Sequence, residues 1–298
     1  MQLNEESSTN RIGDSELILN PDGSVYHLAL KPENIADDVL VVGDQGRVDE
    51  IAKYFDEIEF NVQNREFKTV TGIYRNKRFT VLSTGIGIDN IDIVLNELDA
   101  AVNIDLTKRV PKSEHRSLRI IRLGTSGALQ ENIPVGSLLV TDAVLGLDGL
   151  LNFYKCSSSP RELELEDAFI KHMKWSDKLA RPYARFGSRD LTEKLVVGNT
   201  KGYTITAPGF YAPQGRNVRL GIWDPGFHDH LRSFDFKGEK ITNFEMETSA
   251  LYGLSKALGH KVCTVCTIIA NRATKEFAED YHPLVDRMIT DVLNKLTH

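Results

Sequence analysis

The chain has 298 residues, a formal net charge of −6, and 41% apolar and 26% charged residues. That is the make-up of a globular protein with a sizeable core, and its negative balance gives no global attraction for nucleic acid. No apolar run approaches the roughly 20 residues that span a bilayer, the first ten residues are too polar for a signal peptide, and three cysteines cannot build a disulfide framework, so a reducing cytoplasm is expected.

Residues 1–15 are polar and predict a flexible N-terminal arm, with one domain over 16–298. An apolar run at 39–42, ending at Gly43, reads as a buried strand. A helix follows with Val48, Ile51, Ala52 and Phe55 on one face. A second strand at 79–83 leads through Gly85-Ile86-Gly87 into a helix carrying Ile91, Val94, Leu95 and Leu98. A third strand at 118–123 ends at Gly124. Further strands are expected at 137–140 and 195–197, and an amphipathic helix at 160–180. Met246, Ala250, Leu251, Leu254 and Leu258 share one helix face, which Gly259 can cap. A strand at 262–269 follows at once, and a last amphipathic helix runs over 281–296. Strands alternating with helices predict an α/β fold with a largely parallel sheet. Ligands then bind beyond the carboxyl ends of the strands.

Two constellations read as inert. Cys263 and Cys266 form a C-x-x-C pair inside an apolar strand, not at a helix N-terminus, so buried thiols are expected. His228-Asp229-His230 has no evident third ligand and reads as a solvated surface, so no metal is expected. Gly85-x-Gly87 lacks the third glycine of a dinucleotide fingerprint, with Asn90 in its place.

The candidate chemistry lies at strand ends. Gly43-Asp44-Gln45-Gly46-Arg47 and Arg122-Leu123-Gly124-Thr125-Ser126-Gly127 combine close-approach glycines, guanidinium forks and hydroxyls, which suit phosphate oxygens. Phe210-Tyr211-Ala212-Pro213-Gln214-Gly215-Arg216 is a loop holding an aromatic to stack on a base, an amide and a guanidinium; a plain surface turn is its alternative. In Glu245-Met246-Glu247 two carboxylates bracket a Met, either as an acidic helix start or as a site for a vicinal diol.

Taken in order, with Tyr26-His27-Leu28, Arg65-Glu66-Phe67, Ser83-Thr84-Gly85-Ile86-Gly87 and Ile269-Ala270-Asn271-Arg272, these motifs resemble the nucleoside phosphorylase family, and its uridine phosphorylase branch in particular. The resemblance runs from about Tyr26 to the last helix. It implies a three-layer α/β/α domain around a twisted, mostly parallel mixed sheet. The reaction it implies is reversible phosphorolysis of uridine, with deoxyuridine and thymidine as further substrates, in pyrimidine salvage. By that resemblance Gly43, Arg47, Arg65, Arg122 and Thr125 hold phosphate. His27, Thr125, Met246 and Glu247 hold ribose, and Phe210, Gln214, Arg216 and Arg272 hold the base. Arg122, Arg216 and Glu247 carry the catalysis.

His27 and Arg65 resemble residues donated across a subunit interface, which implies a homo-oligomer, either a dimer or a hexamer built as a trimer of dimers. Partners are a nucleoside and phosphate, with neither nucleic acid nor membrane. No cofactor is implied beyond phosphate as co-substrate. A monovalent cation around Glu66, Ile86 and Asn90 is in doubt because Asn replaces Ser, and Asp89 beside it is expected to point away as a helix N-cap. Asn271-Arg272 stands where purine enzymes carry Ser-Asp, which argues against a purine substrate. The stacking aromatic is either Phe210 or Tyr211. The rivals are a purine phosphorylase or nucleosidase of the same fold and a non-catalytic nucleoside-binding protein.

Overall fold

The computed structural model describes residues 11–297. Residues 1–10, most of the expected arm, lie outside the described residues. Residues 11–15 depart from the expectation of a loose arm, because the Ile12 amide donates to the Arg109 carbonyl at 2.8 Å and its side chain packs on the core.

The first half of the chain forms β1 (Asp38–Val42), α1 (Gln45–Ala52), β2 (Glu57–Asn64), β3 (Phe67–Tyr74), β4 (Lys77–Ser83) and α2 (Ile88–Asn103). A short pair, β5 (Ile104–Asp105) and β6 (Val110–Pro111), precedes β7 (Arg119–Ala128) and β8 (Leu138–Gly146). Then come α3 (Pro160–Met173), β9 (Tyr183–Phe186), α4 (Arg189–Leu195), β10 (Thr200–Thr206), α5 (Phe227–Ser233) and β11 (Asp235–Phe236). The chain closes with β12 (Glu239–Glu245), α6 (Thr248–Ala257), β13 (Lys261–Asn271), β14 (Glu276–Phe277) and α7 (His282–Thr297). No helix among the described residues is long and apolar enough to cross a membrane.

Side chains alternate across each strand, so the central strands feed two cores. Val39 and Val41 of β1, with Ile120 of β7, pack under α2 and α6. Leu40, Val42, Ile121 and Leu123 face the other way, onto α1, α4 and α7. This is the expected layering of helices on both faces. The central pairs β4–β1–β7–β13 are parallel, while β2–β3–β4 and the pairs of β13 with β8 and of β8 with β9 are antiparallel. One feature lay beyond the sequence reading. β7 pairs antiparallel with β12, which runs on through β10 and β8 to β13 and back to β7, so five strands close on themselves.

Several local expectations are corrected. Residues 195–197 are not a strand: Leu191 and Leu195, one turn apart, bury the end of α4, and three apolar residues fit a helix end as well as a strand. The helix expected over 160–180 stops at Met173, where Lys174 turns left-handed (φ 49°) and the Trp175 amide reaches back to the Ile170 carbonyl at 3.0 Å. α1 likewise ends at Ala52, before Phe55. The helix expected to include Met246 begins at Thr248. β7 does not end at Gly124 but continues to Ala128. β2 and β10 were not anticipated, although β2 alternates Ile58, Phe60 and Val62 with polar residues.

Among the described residues, strand β9 pairs only with β8, and two buried acids of α3 cover its other edge. The Ala184 amide donates to Glu166 Oε1 at 2.9 Å and the Phe186 amide to Glu162 Oε1 at 3.3 Å. Glu162 also receives the Ser159 amide at 2.7 Å and the Lys256 ammonium at 2.9 Å. Burial alone would raise its pKa, but Ser159 and Lys256 outweigh burial and hold the carboxyl below its usual range. With the folded value depressed, this stabilisation is present above the unfolded pKa of about 4.3 and is lost as pH falls through the folded value. Glu162→Gln should therefore cost roughly 1–3 kcal/mol at neutral pH. The gap from the parent protein should close in acid, as denaturant unfolding at several pH values would show.

Candidate active site

Arg122 lies buried in the middle of β7 and donates through Nη2 to Glu247 Oε2. Its Nε is 3.8 Å from Glu245 Oε2, and its Nη1 is 4.0 Å from Cys266 Sγ. Burial by itself would lower its pKa, but the Glu247 and Glu245 carboxylates outweigh burial and raise it. Glycine at 124 has a specific purpose, since a Cβ there would collide with Arg122 Nη1.

Both carboxylates of the Glu245-Met246-Glu247 run are buried. Glu247 stands at the N-cap of α6 and accepts the Gly87 amide on Oε1 at 2.9 Å, which ties the loop after β4 to Arg122. Glu245, part of the sequence motif but given no role of its own there, holds Glu247 in place. Its Oε2 accepts the amides of Glu247 and Thr248 at 2.9 and 2.8 Å, and Thr206 donates to its Oε1. Burial pushes the Glu245 pKa up. Met246, between the two, is half-buried.

Gly43 follows β1, and Asp44 caps α1 by accepting the Arg47 amide at 2.9 Å. The Arg47 guanidinium then reaches β7, with Nη1 3.4 Å from the Leu123 carbonyl and Nη2 3.3 Å from Asp44 Oδ2. Arg47, just beyond the end of β1, is thus carried to β7, the strand that holds Arg122 and Thr125. Arg65 sits at the β2–β3 turn with φ 54°, its carbonyl accepting from Gln45 Nε2 at 2.6 Å and its guanidinium 5.7 Å over the Tyr26 ring. His27 lies beside Tyr26 and pairs with Glu97. Among the described residues, no side-chain hydrogen bond or ion pair joins Arg65 or His27 to Arg47, Arg122 or Glu247.

Asp89 is not the N-cap of α2; Gly87 is (φ 102°), and Asp89 lies in the first turn, where the helix dipole favours it. Glu66, Ile86 and Asn90 do converge around Gly85, where a Cβ would collide with the Asn90 amide. Asn90 Nδ2 donates to the Ile86 carbonyl at 3.3 Å, however, so an amide already engages that oxygen.

The base-reading candidates form a second group. Gln214 is buried and its Oε1 accepts from Arg216 Nη1 at 2.6 Å. The same Nη1 donates to the Phe210 carbonyl, and the guanidinium lies 3.6 Å over the Phe210 ring. One face of Phe210 is therefore covered by Arg216, while Tyr211 is more exposed and meets Phe210 edge-on. Desolvation and the nearby Arg272 push the Arg216 pKa down to about 10, and desolvation lowers that of Arg272. Neither pairs with a carboxylate among the described residues. The Asn271 amide is engaged with the Gln130 and Ile133 carbonyls at 3.0 and 2.8 Å, which turns it away from Arg272.

The remaining clusters fit the inert readings. Burial pushes both Cys263 and Cys266 up to about 12. His228 and His230 lie on α5 and bind the Gln214 carbonyl at 2.8 Å and Asp224 at 3.1 Å. Asp99, His115 and His260 gather closely, but His260 Nδ1 accepts the Leu118 amide at 3.2 Å. Its proton then sits on Nε2, the atom a metal would need. A cavity of about 610 Å³ is lined by Met173, Trp175, Pro213, Trp223 and Phe227, and none of the site's arginines lines it.

Residues 37–296 match the family model described as the phosphorylase superfamily. The chain is 31% identical over 264 residues to a uridine phosphorylase of Thermococcus kodakarensis, covering 87% of this chain and 81% of that one. A purine nucleoside phosphorylase of Streptococcus suis matches at 26% identity over 81% of this chain and 84% of its own. A solved Trypanosoma brucei nucleoside phosphorylase, described as showing uridine phosphorylase activity, superposes with a TM-score of 0.86 at 29% identity, over 94% of this chain and 99% of that one. With the match running from the start of the sheet to the last helix, the chain belongs to the phosphorylase superfamily.

Proposed function

We propose that this chain catalyses the reversible phosphorolysis of uridine to uracil and ribose 1-phosphate, with deoxyuridine and thymidine as secondary substrates. One observation carries the choice of base. Arg216 and Arg272 are two desolvated guanidiniums with no carboxylate partner among the described residues, set beside the buried amide of Gln214. A departing uracil is an anion with charge on its carbonyls, and such a pair suits it. A departing purine is helped by a proton donor, and no carboxylate pairs with either arginine.

In this reading Gly43, Arg47, Arg122 and Thr125 hold phosphate against one face of the ribose, and Arg65 adds a further cation. Glu247 accepts the ribose hydroxyls, Met246 lies along the ring, and His27 meets the 5′-hydroxyl. Phe210, Gln214, Arg216 and Arg272 surround the base. The C1′–N1 bond lengthens, its electron pair leaves with uracil, and positive charge grows at C1′ as in glycoside cleavage. A phosphate oxygen then closes on C1′ with inversion. Arg122 bridges phosphate and Glu247, so it aligns nucleophile and sugar together.

The site calls for no organic cofactor, and the Asn90–Ile86 hydrogen bond supports activity without a monovalent cation. The active unit is a homo-oligomer, a dimer or hexamer, in which the His27–Arg65 cluster completes a neighbouring subunit's site. The reaction is placed in the cytoplasm.

Uracil release from uridine should require phosphate, with inosine turned over far more slowly; release without phosphate, or preference for inosine, would reject this reading. Arg216→Ala should lower kcat for uridine by roughly 100- to 1,000-fold, as for loss of an oxyanion donor. Gly124→Ala should cut kcat/KM for phosphate by about 100-fold, because the new methyl displaces Arg122; steady-state assays varying phosphate would measure it.

A further inference from the structure

Glu97, on α2, is absent from the roles above, yet the turn bearing His27 is built around it. Its carboxylate accepts the backbone amides of His27 at 2.9 Å and Leu28 at 2.8 Å, and His27 Nδ1 lies 2.6 Å from its Oε1. From the other side, Asn64 Nδ2 donates to the His27 carbonyl at 2.9 Å. Ala29 closes the turn in a left-handed conformation, φ 52°, that a non-glycine residue adopts only under constraint. The ring is further flanked by Tyr26 and Phe67, with centroids at 4.8 and 6.3 Å. Through Asn64 this turn adjoins Arg65, whose carbonyl is bound by Gln45 next to the Gly43 loop.

A carboxylate only accepts hydrogen bonds, so a neutral His27 must carry its proton on Nδ1. Nε2 then keeps its lone pair, and it makes no hydrogen bond among the described residues. We infer that Glu97 is a positioning residue that fixes His27 as a hydrogen-bond acceptor, so that the site selects nucleosides bearing a hydrogen-bond donor at the 5′ position. This rests on the nucleoside reading above. Uridine's 5′-hydroxyl donates to Nε2. A 5′-fluorine of similar size offers only lone pairs and meets the Nε2 lone pair unfavourably.

The test compares kcat/KM for uridine and 5′-deoxy-5′-fluorouridine in mildly alkaline buffer, in the full-length protein and in Glu97→Gln. The parent should prefer uridine by roughly tenfold or more beyond the analogue's intrinsic reactivity, measured in its uncatalysed hydrolysis. In Glu97→Gln the carboxamide oxygen still accepts backbone amides, but its N–H donates to Nδ1 and drives the proton to Nε2. The uridine:fluoro ratio should then fall by about tenfold, with uridine turnover less affected because a hydroxyl also accepts. An equal loss on both substrates, leaving the ratio unchanged, would mean that Glu97 only supports the fold and would overturn the inference. If Glu97→Gln does not fold, the parent alone decides: no preference for uridine over the fluoro analogue rejects an acceptor at His27. A parent inactive on uridine but active on another nucleoside would fault the base assignment instead, and the same 5′ comparison would be made on that nucleoside.

Discussion

The buried pair between Arg122 and Glu247 is the constraint around which the rest of the site is arranged. A guanidinium in the middle of a sheet is costly to desolvate, and it is tolerated because carboxylates meet it with hydrogen bonds. Glu247 supplies one such bond and Glu245 a second negative charge nearby. Glu245 in turn needs the Thr206 hydroxyl and two backbone amides at the start of α6. Gly124 leaves room for the guanidinium, and Gly87 reaches across to the second oxygen of Glu247. Each of these residues is explained by the one before it.

That arrangement is possible because five strands close on themselves. The antiparallel contact of β12 with β7 sets Asn243 opposite Ala128 and Phe244 opposite Gly127. Past this pairing β12 runs back along β7, which brings Glu245 and Glu247 to Arg122 in the middle of that strand. β13, on the other side of β7, delivers Arg272 to the C-terminal end of β7, where Gly127 lies next to its guanidinium. β7 therefore runs from the region proposed to hold phosphate to the region proposed to hold the base. A single strand sets the distance between the two, which suits a reaction that must align a nucleophile, a sugar and a leaving group.

The two halves differ in their electrostatics. Around Arg122 the cation is balanced by acids, and its pKa rises. Around Arg216 and Arg272 the cations are desolvated and near one another, and their pKa values fall. An anion is welcome in the second region without displacing any carboxylate. His27 and Glu97 form a third region whose polarity is set by a hydrogen bond rather than by net charge.

Much of this was legible in the sequence because it is local. Short apolar runs marked β1, β4 and the core of β13, helical spacing marked α1, α2 and α7, and glycines beside arginines marked the strand ends. The ordered motifs pointed to the family and to the residues that gather at Arg122 and at Arg216. Where local signals were short or mixed they failed: the apolar triplet at 195–197 fell on the last residue of a helix and the turn after it, and β2 and β10 went unseen. Contacts between distant residues were out of reach, because periodicity records only which face of its own element a side chain occupies. Arg122 and Glu247 are 125 positions apart, and His27 and Glu97 are 70 apart. Nothing near Glu97 in sequence marks it, and the sequence reads Gly124 as a strand-ending glycine rather than as the room that Arg122 needs. The sequence by itself determined the class of fold and the chemical types at the site; the closure of the sheet decided which charges meet and which way each hydrogen bond points, because those depend on strand pairing and not on spacing along the chain.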